Sequence, residues 1–183
     1  MKYFFYTMLS LFVLASCKTS KNYLSRSDSD NTIFDAVKTL KKYSTDTAAL
    51  NALPVLYNTA LQRNLRKINS YSSSRELSRW DKIIDGYNTL QEMHDAIIEV
   101  DAASRLVTPV DYRQTIYDLQ QQAAADYYTT AIDFLNRPGR DDAKKAYNYF
   151  KKADNWVPGY EDAKIKMDEA YDNAIVNVVI NPV

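Results

Sequence analysis

The sequence predicts an all-α fold of antiparallel helical hairpins. Two observations carry this. Apolar residues recur at three-to-four spacing over long stretches, and turn residues are scarce, with three glycines and five prolines in 183 residues. A sandwich or barrel of short strands needs turns at close intervals, and these are missing. The chain has one cysteine, so no intramolecular disulfide forms and stability has to come from packing.

The N-terminus carries the signs of the expected compartment. Lys2 is followed by the apolar and aromatic run Tyr3 to Ala15, then by Ser16 and Cys17. A transmembrane helix needs about 20 apolar residues, so the run suits the hydrophobic core of a secretion signal better. Leu14-Ala15-Ser16-Cys17 resembles the lipobox of bacterial lipoproteins. The resemblance implies removal of residues 1–16 and lipid attachment to Cys17. Two or more acyl chains anchor stably, since each buried CH₂ contributes roughly 0.8 kcal/mol. Residue 18 is Lys rather than the Asp that retains lipoproteins at the inner membrane, so the outer membrane is the expected location over the inner one.

Residues 17–31 read as a lipidated, flexible tether. From Lys18 to Asn31 the chain is polar and rich in Ser, with little to bury. At no more than about 3.5 Å per residue, such a tether keeps the following domain within about 50 Å of the lipid surface.

Without the leader, the 23 basic residues less Lys2 leave 22 against 23 acidic ones. That balance offers no general attraction to nucleic acid or to anionic membranes. Residues 32–174 suffice for one helical domain of ordinary size.

The first helix starts at Asp30 or Asn31 and carries Ile33, Phe34, Val37, Leu40 and Tyr43. A second runs from about Asp46 to Ile68 with Leu50, Leu53, Tyr57, Leu61 and Leu65 on one face; Pro54 implies a start near Ala52 or a kink. A third begins near Ser74 and carries Leu77, Trp80, Ile84, Tyr87 and Leu90. Gly86 in its middle marks a close helix contact or a tolerated weakness of about 1 kcal/mol. Beyond Met93 the pattern loosens into a shorter helical piece ending at Thr108-Pro109. A fourth helix spans Asp111 to Leu135, with Ile116, Leu119, Ala123, Tyr127, Ala131 and Phe134 along its stripe. Asn136 to Arg140 is a turn, Asp141 and Asp142 open a fifth helix, Pro158-Gly159 stop it, and a sixth begins near Tyr160.

Ala146, Phe150, Ala153 and Pro158 stand at offsets 0, 4, 7 and 12 and resemble the second helix of a tetratricopeptide repeat. Small alanines let two helices approach, Phe150 fills the space between them, and Pro158 ends the unit. Tyr127, Ala131 and Phe134 are similar to the large, small and aromatic positions of the repeat's first helix. The resemblance implies a short tetratricopeptide-like α-solenoid of stacked hairpins, with the earlier hairpins degenerate. Lipobox, tether, hairpins and the stretch from Val157 to Val183 together are similar to tetratricopeptide-like lipoproteins of Gram-negative bacteria. That implies a fold and a location, not an activity.

Residues 175–183 are β-branched and read as a strand. Three readings stay open: truncation before a further region, addition to a partner's sheet, or continuation of the sixth helix.

Chemistry is hard to find. His94 is the one histidine, and with no cysteine beside it no zinc set forms; solvent exposure or helix packing explains it. Asp141/Asp142 and Glu161/Asp162 lie where capping accounts for them. Ser70 to Ser74 lacks a nucleophile-elbow pattern, and the three glycines form no phosphate loop. No enzyme, cofactor or metal is expected. Among fifteen tyrosines, Tyr127, Tyr147 and Trp156 are assigned to helix packing, while Tyr128 and Tyr149 are the candidates for an exposed binding surface. The leading expectation is a noncatalytic envelope scaffold with a protein partner. The alternatives are a glycan- or nutrient-binding outer-membrane lipoprotein, or a positioning domain for an activity beyond Val183.

Overall fold

The computed structural model describes residues 22–26 and 29–175. Cys17, the leader and, apart from Ile175, the strand expected over 175–183 lie outside the described residues. Within them every regular element is helical: a short 3₁₀ turn at Tyr23–Ser25, then α1 (Ser29–Lys42), α2 (Thr47–Ser72), α3 (Arg79–Ile98), α4 (Asp101–Ser104), α5 (Arg113–Leu135), α6 (Arg140–Trp156) and α7 (Ala163–Ala174). No helix among the described residues is long and apolar enough to cross a membrane.

The described residues sort into two compact units. Among the described residues, one comprises those up to Thr59 together with Ile97–Thr108, the other Ala60–Ala96 and residues 109–175.

In the first unit, Ile33, Val37 and Leu40 of α1 are buried, as their spacing requires, while Tyr43 lies beyond the helix end and is exposed. Two residues of the expected tether make contacts with α1. Tyr23 is 2% exposed and its hydroxyl donates to Thr39 Oγ1 on α1 at 2.8 Å, while Arg26 pairs with Asp35. One buried aromatic ring and two polar contacts outweigh the polar composition around them. Helix α2 starts at Thr47, with Asp46 Oδ1 accepting from the Ala49 amide at 3.0 Å. The helix passes through Pro54, which is exposed, while Leu53 and Leu56 beside it are buried. Packing around the proline therefore sustains a helix that the proline alone would end. Lys41 and Glu99 form an exposed pair at 2.5 Å.

In the second unit, α3 starts at Arg79 rather than near Ser74. The intervening residues close tight turns instead, with the Arg79 and Trp80 amides donating to the carbonyls of Glu76 and Leu77 and Ser74 Oγ accepting from the Glu76 amide. At its other end α3 continues past Met93 to Ile98. The stripe Leu90, Met93, Ile97 holds helical spacing, and the polar residues that interrupt it, Gln91 and His94, are buried with partners. Gly86 sits on a close contact: a Cβ there would lie 2.6 Å from Ile68 Cγ1 on α2. That settles its role in favour of the contact.

Candidate docking surface

Helices α5, α6 and α7 pack in succession. Phe150 is fully buried, and Ala131 of α5, Ala146 of α6, and Ala163 and Ala170 of α7 belong to the same core. The α6 stripe Ala143, Ala146, Phe150, Ala153 recurs at intervals of three and four. One bulky ring among four alanines lets backbones come close without leaving a void. Of the repeat-like positions, Tyr127, Ala131, Ala146, Phe150 and Ala153 are all buried. Phe134 is half-buried with its ring centroid 5.5 Å from that of Tyr149, and Pro158 is exposed just past the end of α6. The α6–α7 turn is held by Asp154 Oδ1, which accepts from the Gly159 amide at 2.8 Å, and by a positive φ of 77° at Gly159, where glycine is the low-strain choice.

Tyr128 and Tyr149, chosen from the sequence as the exposed rings, are both half-buried. Tyr149 lies between Tyr127 and Phe134. Tyr128 packs edge-on against Phe150 and Tyr160, and its hydroxyl donates to Asp162 Oδ1. That bond to a carboxylate is the main reason the Tyr128 phenol is pushed up to about 12; for Tyr127, also near 12, the main reason is burial. Both rings have therefore become packing. Exposed apolar side chains among the described residues include Ile165 (70% exposed) and Tyr171 (56%) on α7, and others stand on other elements, such as Val55 on α2 and Tyr117 on α5.

The capping explanation of the paired carboxylates needs amendment. Neither α6 nor α7 has a side-chain cap at its N-terminus. Asp141 and Asp142 instead pair with Lys144 and Lys145 one turn on, and Asp162 is taken by Tyr128. Asp141 and Asp142 still favour the helix start electrostatically.

Two polar clusters escaped the sequence reading. Asp126 Oδ2 accepts from Arg79 Nη2 at 2.7 Å and from Trp80 Nε1 at 3.0 Å. The Arg79 guanidinium also lies 4.7 Å from the Trp80 ring and donates to the Ser74 carbonyl. An open cleft of about 650 Å³ adjoins this cluster, lined by Ser72 to Arg75 and Arg79, by Trp80 and Ile83 of α3, and by Leu119 and Gln122 of α5. In the other cluster, buried His94 donates through Nδ1 to Asp95 Oδ1 at 2.9 Å, Arg113 binds the same carboxylate, and Gln91 accepts from the Tyr112 amide at 2.6 Å. The hydrogen bond from His94, followed by those of Gln91 and the charge of Arg113, holds the Asp95 carboxyl below its usual range. Partners 18 to 47 residues apart leave no spacing to read. The hints were Asp126 beside the buried stripe of α5 and the adjacency of His94 and Asp95.

Among the described residues no His, Cys, Asp and Glu side chains gather as a metal site. No family model, curated protein or solved structure matches the chain.

Proposed function

We propose that the chain is a noncatalytic helical scaffold, anchored in the outer membrane by lipid on Cys17, that docks a protein partner in the cell envelope through a short tetratricopeptide-like stack. The observation that carries the reading is the α5–α6–α7 succession, in which Phe150 is wholly buried among alanines of all three helices. Successive helix pairs of this kind build extended surfaces for partners. Ile165 and Tyr171, exposed on α7, supply apolar contact area for one.

The buried Tyr23 shortens the expected reach. Counted from Cys17 to Tyr23 rather than to residue 31, the chain extends no more than about 20 Å, so the unit containing Tyr23 and α1 works close to the lipid. Cell fractionation tests the anchor. Cys17→Ser should release a folded protein from the membrane fraction; a variant that stays with the membrane contradicts it.

A further inference from the structure

The 3₁₀ turn at Tyr23–Ser25 lies against one flank of α1. The Tyr23 hydroxyl donates to Thr39 and Arg26 pairs with Asp35, so the turn covers the line on which Asp35 and Thr39 stand. By helical spacing Lys42 continues that line, with Lys38 and Tyr43 on either side of it. Tyr23 is buried, but its neighbour Leu24 is 57% exposed and Tyr43 is 45% exposed.

The charges of this flank do not cancel. Arg26 is taken by Asp35, Lys41 is taken by Glu99, and Asp46 caps α2 through the Ala49 amide. Lys38 and Lys42 are exposed and make no ion pair among the described residues, and Lys42 Nζ lies 5.2 Å from the Tyr43 ring centroid. The even charge balance of the whole chain hides this local excess. Lysines beside exposed aromatic and aliphatic side chains suit the boundary of a bilayer, where the apolar groups enter among the headgroups and the ammonium groups stay with the phosphates.

The length of the leading chain selects the occupant. Tyr23 is six positions after Cys17, a span of no more than about 20 Å, and it is pinned to this flank, so lipid on Cys17 holds the flank beside the bilayer.

We propose that this flank of α1 is a second membrane contact, in which Leu24 and Tyr43 enter the headgroup layer of the membrane that carries the anchor and Lys38 and Lys42 bind its anionic phosphates. The inference rests on the anchor reading and adds how the anchored unit lies against the lipid. So short a tether supplies a high effective concentration, and a contact too weak to hold the protein by itself is then occupied.

The test uses the lipidated chain in vesicles of phosphatidylcholine with or without phosphatidylglycerol. Ser25→Cys carries an environment-sensitive dye, the thiol of Cys17 being occupied by lipid. With phosphatidylglycerol the dye emission should shift to the blue and be quenched by brominated acyl chains. Lys38→Ala or Lys42→Ala should each weaken this docked state about fivefold, and Leu24→Ser should weaken it too. Lys164→Ala on α7, outside the flank, should leave it unchanged. A dye that stays in water with phosphatidylglycerol, equal signals in the two vesicles, or indifference to both lysine substitutions overturns the proposal. Flotation of the same vesicles reads the anchor separately. A protein that floats with its dye in water keeps the anchor and loses the contact, whereas one that does not float loses both.

Discussion

Tyr128 on α5 donates its hydroxyl to Asp162, 34 residues later at the start of α7, while its ring meets the edge of Phe150 on α6. One side chain thus touches all three helices of the stack. Tyr128→Phe keeps the ring and deletes the donor, leaving the half-buried Asp162 carboxylate without it. A loss of about 1–2 kcal/mol in urea unfolding is expected. By absorbance titration, Asp162→Asn should lower the Tyr128 ionisation from about 12 toward the ordinary phenol value.

Phe150 is the centre of the same core, so Phe150→Ala should cost about 3–5 kcal/mol, read as loss of helical circular dichroism at lower temperature. Ala146→Leu should also destabilise, because a fully buried alanine at a close helix contact has no room for a larger side chain.

Gly86 gives a prediction of opposite sign to helix propensity. Alanine there gains about 1 kcal/mol of propensity. It also places a Cβ 2.6 Å from Ile68 Cγ1, an overlap that costs about 1–3 kcal/mol. Gly86→Ala should therefore lower stability, whereas in an Ile68→Ala background the same change should raise it. Chemical denaturation of the four proteins of the cycle measures both.

Much of this architecture was legible because it is local. The buried positions of α1, α5 and α6 follow helical spacing closely, and Pro158 does stand just beyond α6. What was not legible depends on partners distant in sequence. The sequence around Tyr23 is that of a tether, and nothing nearby announces Thr39 as its partner. The end of α3 looked weak because Gln91 and His94 are polar, yet Asp95, Arg113 and the Tyr112 amide satisfy the cluster. Tyr128 and Tyr149 are expected outside, but Phe150 of α6 and Tyr160 pack on Tyr128, and Tyr127 and Phe134 of α5 pack on Tyr149.

The Asp95 cluster sets an acid limit. Its carboxyl is held below the ordinary aspartate value, so the folded state binds the proton less readily than the unfolded one. The stabilisation is present above the unfolded value and is lost as pH falls through the lower, folded one. Asp95→Asn should remove that part of the acid dependence, making stability flatter below about pH 4. Thermal unfolding followed at several pH values, with wild type alongside, checks it.

The central claim is an anchored scaffold engaged with a protein partner, and a photocrosslinking residue at Ile165 on α7 tests it in intact cells. The account predicts a discrete adduct of higher mass that is lost when Cys17→Ser is added, although the variant remains folded. The same adduct persisting without Cys17, or no adduct in either protein, would contradict it.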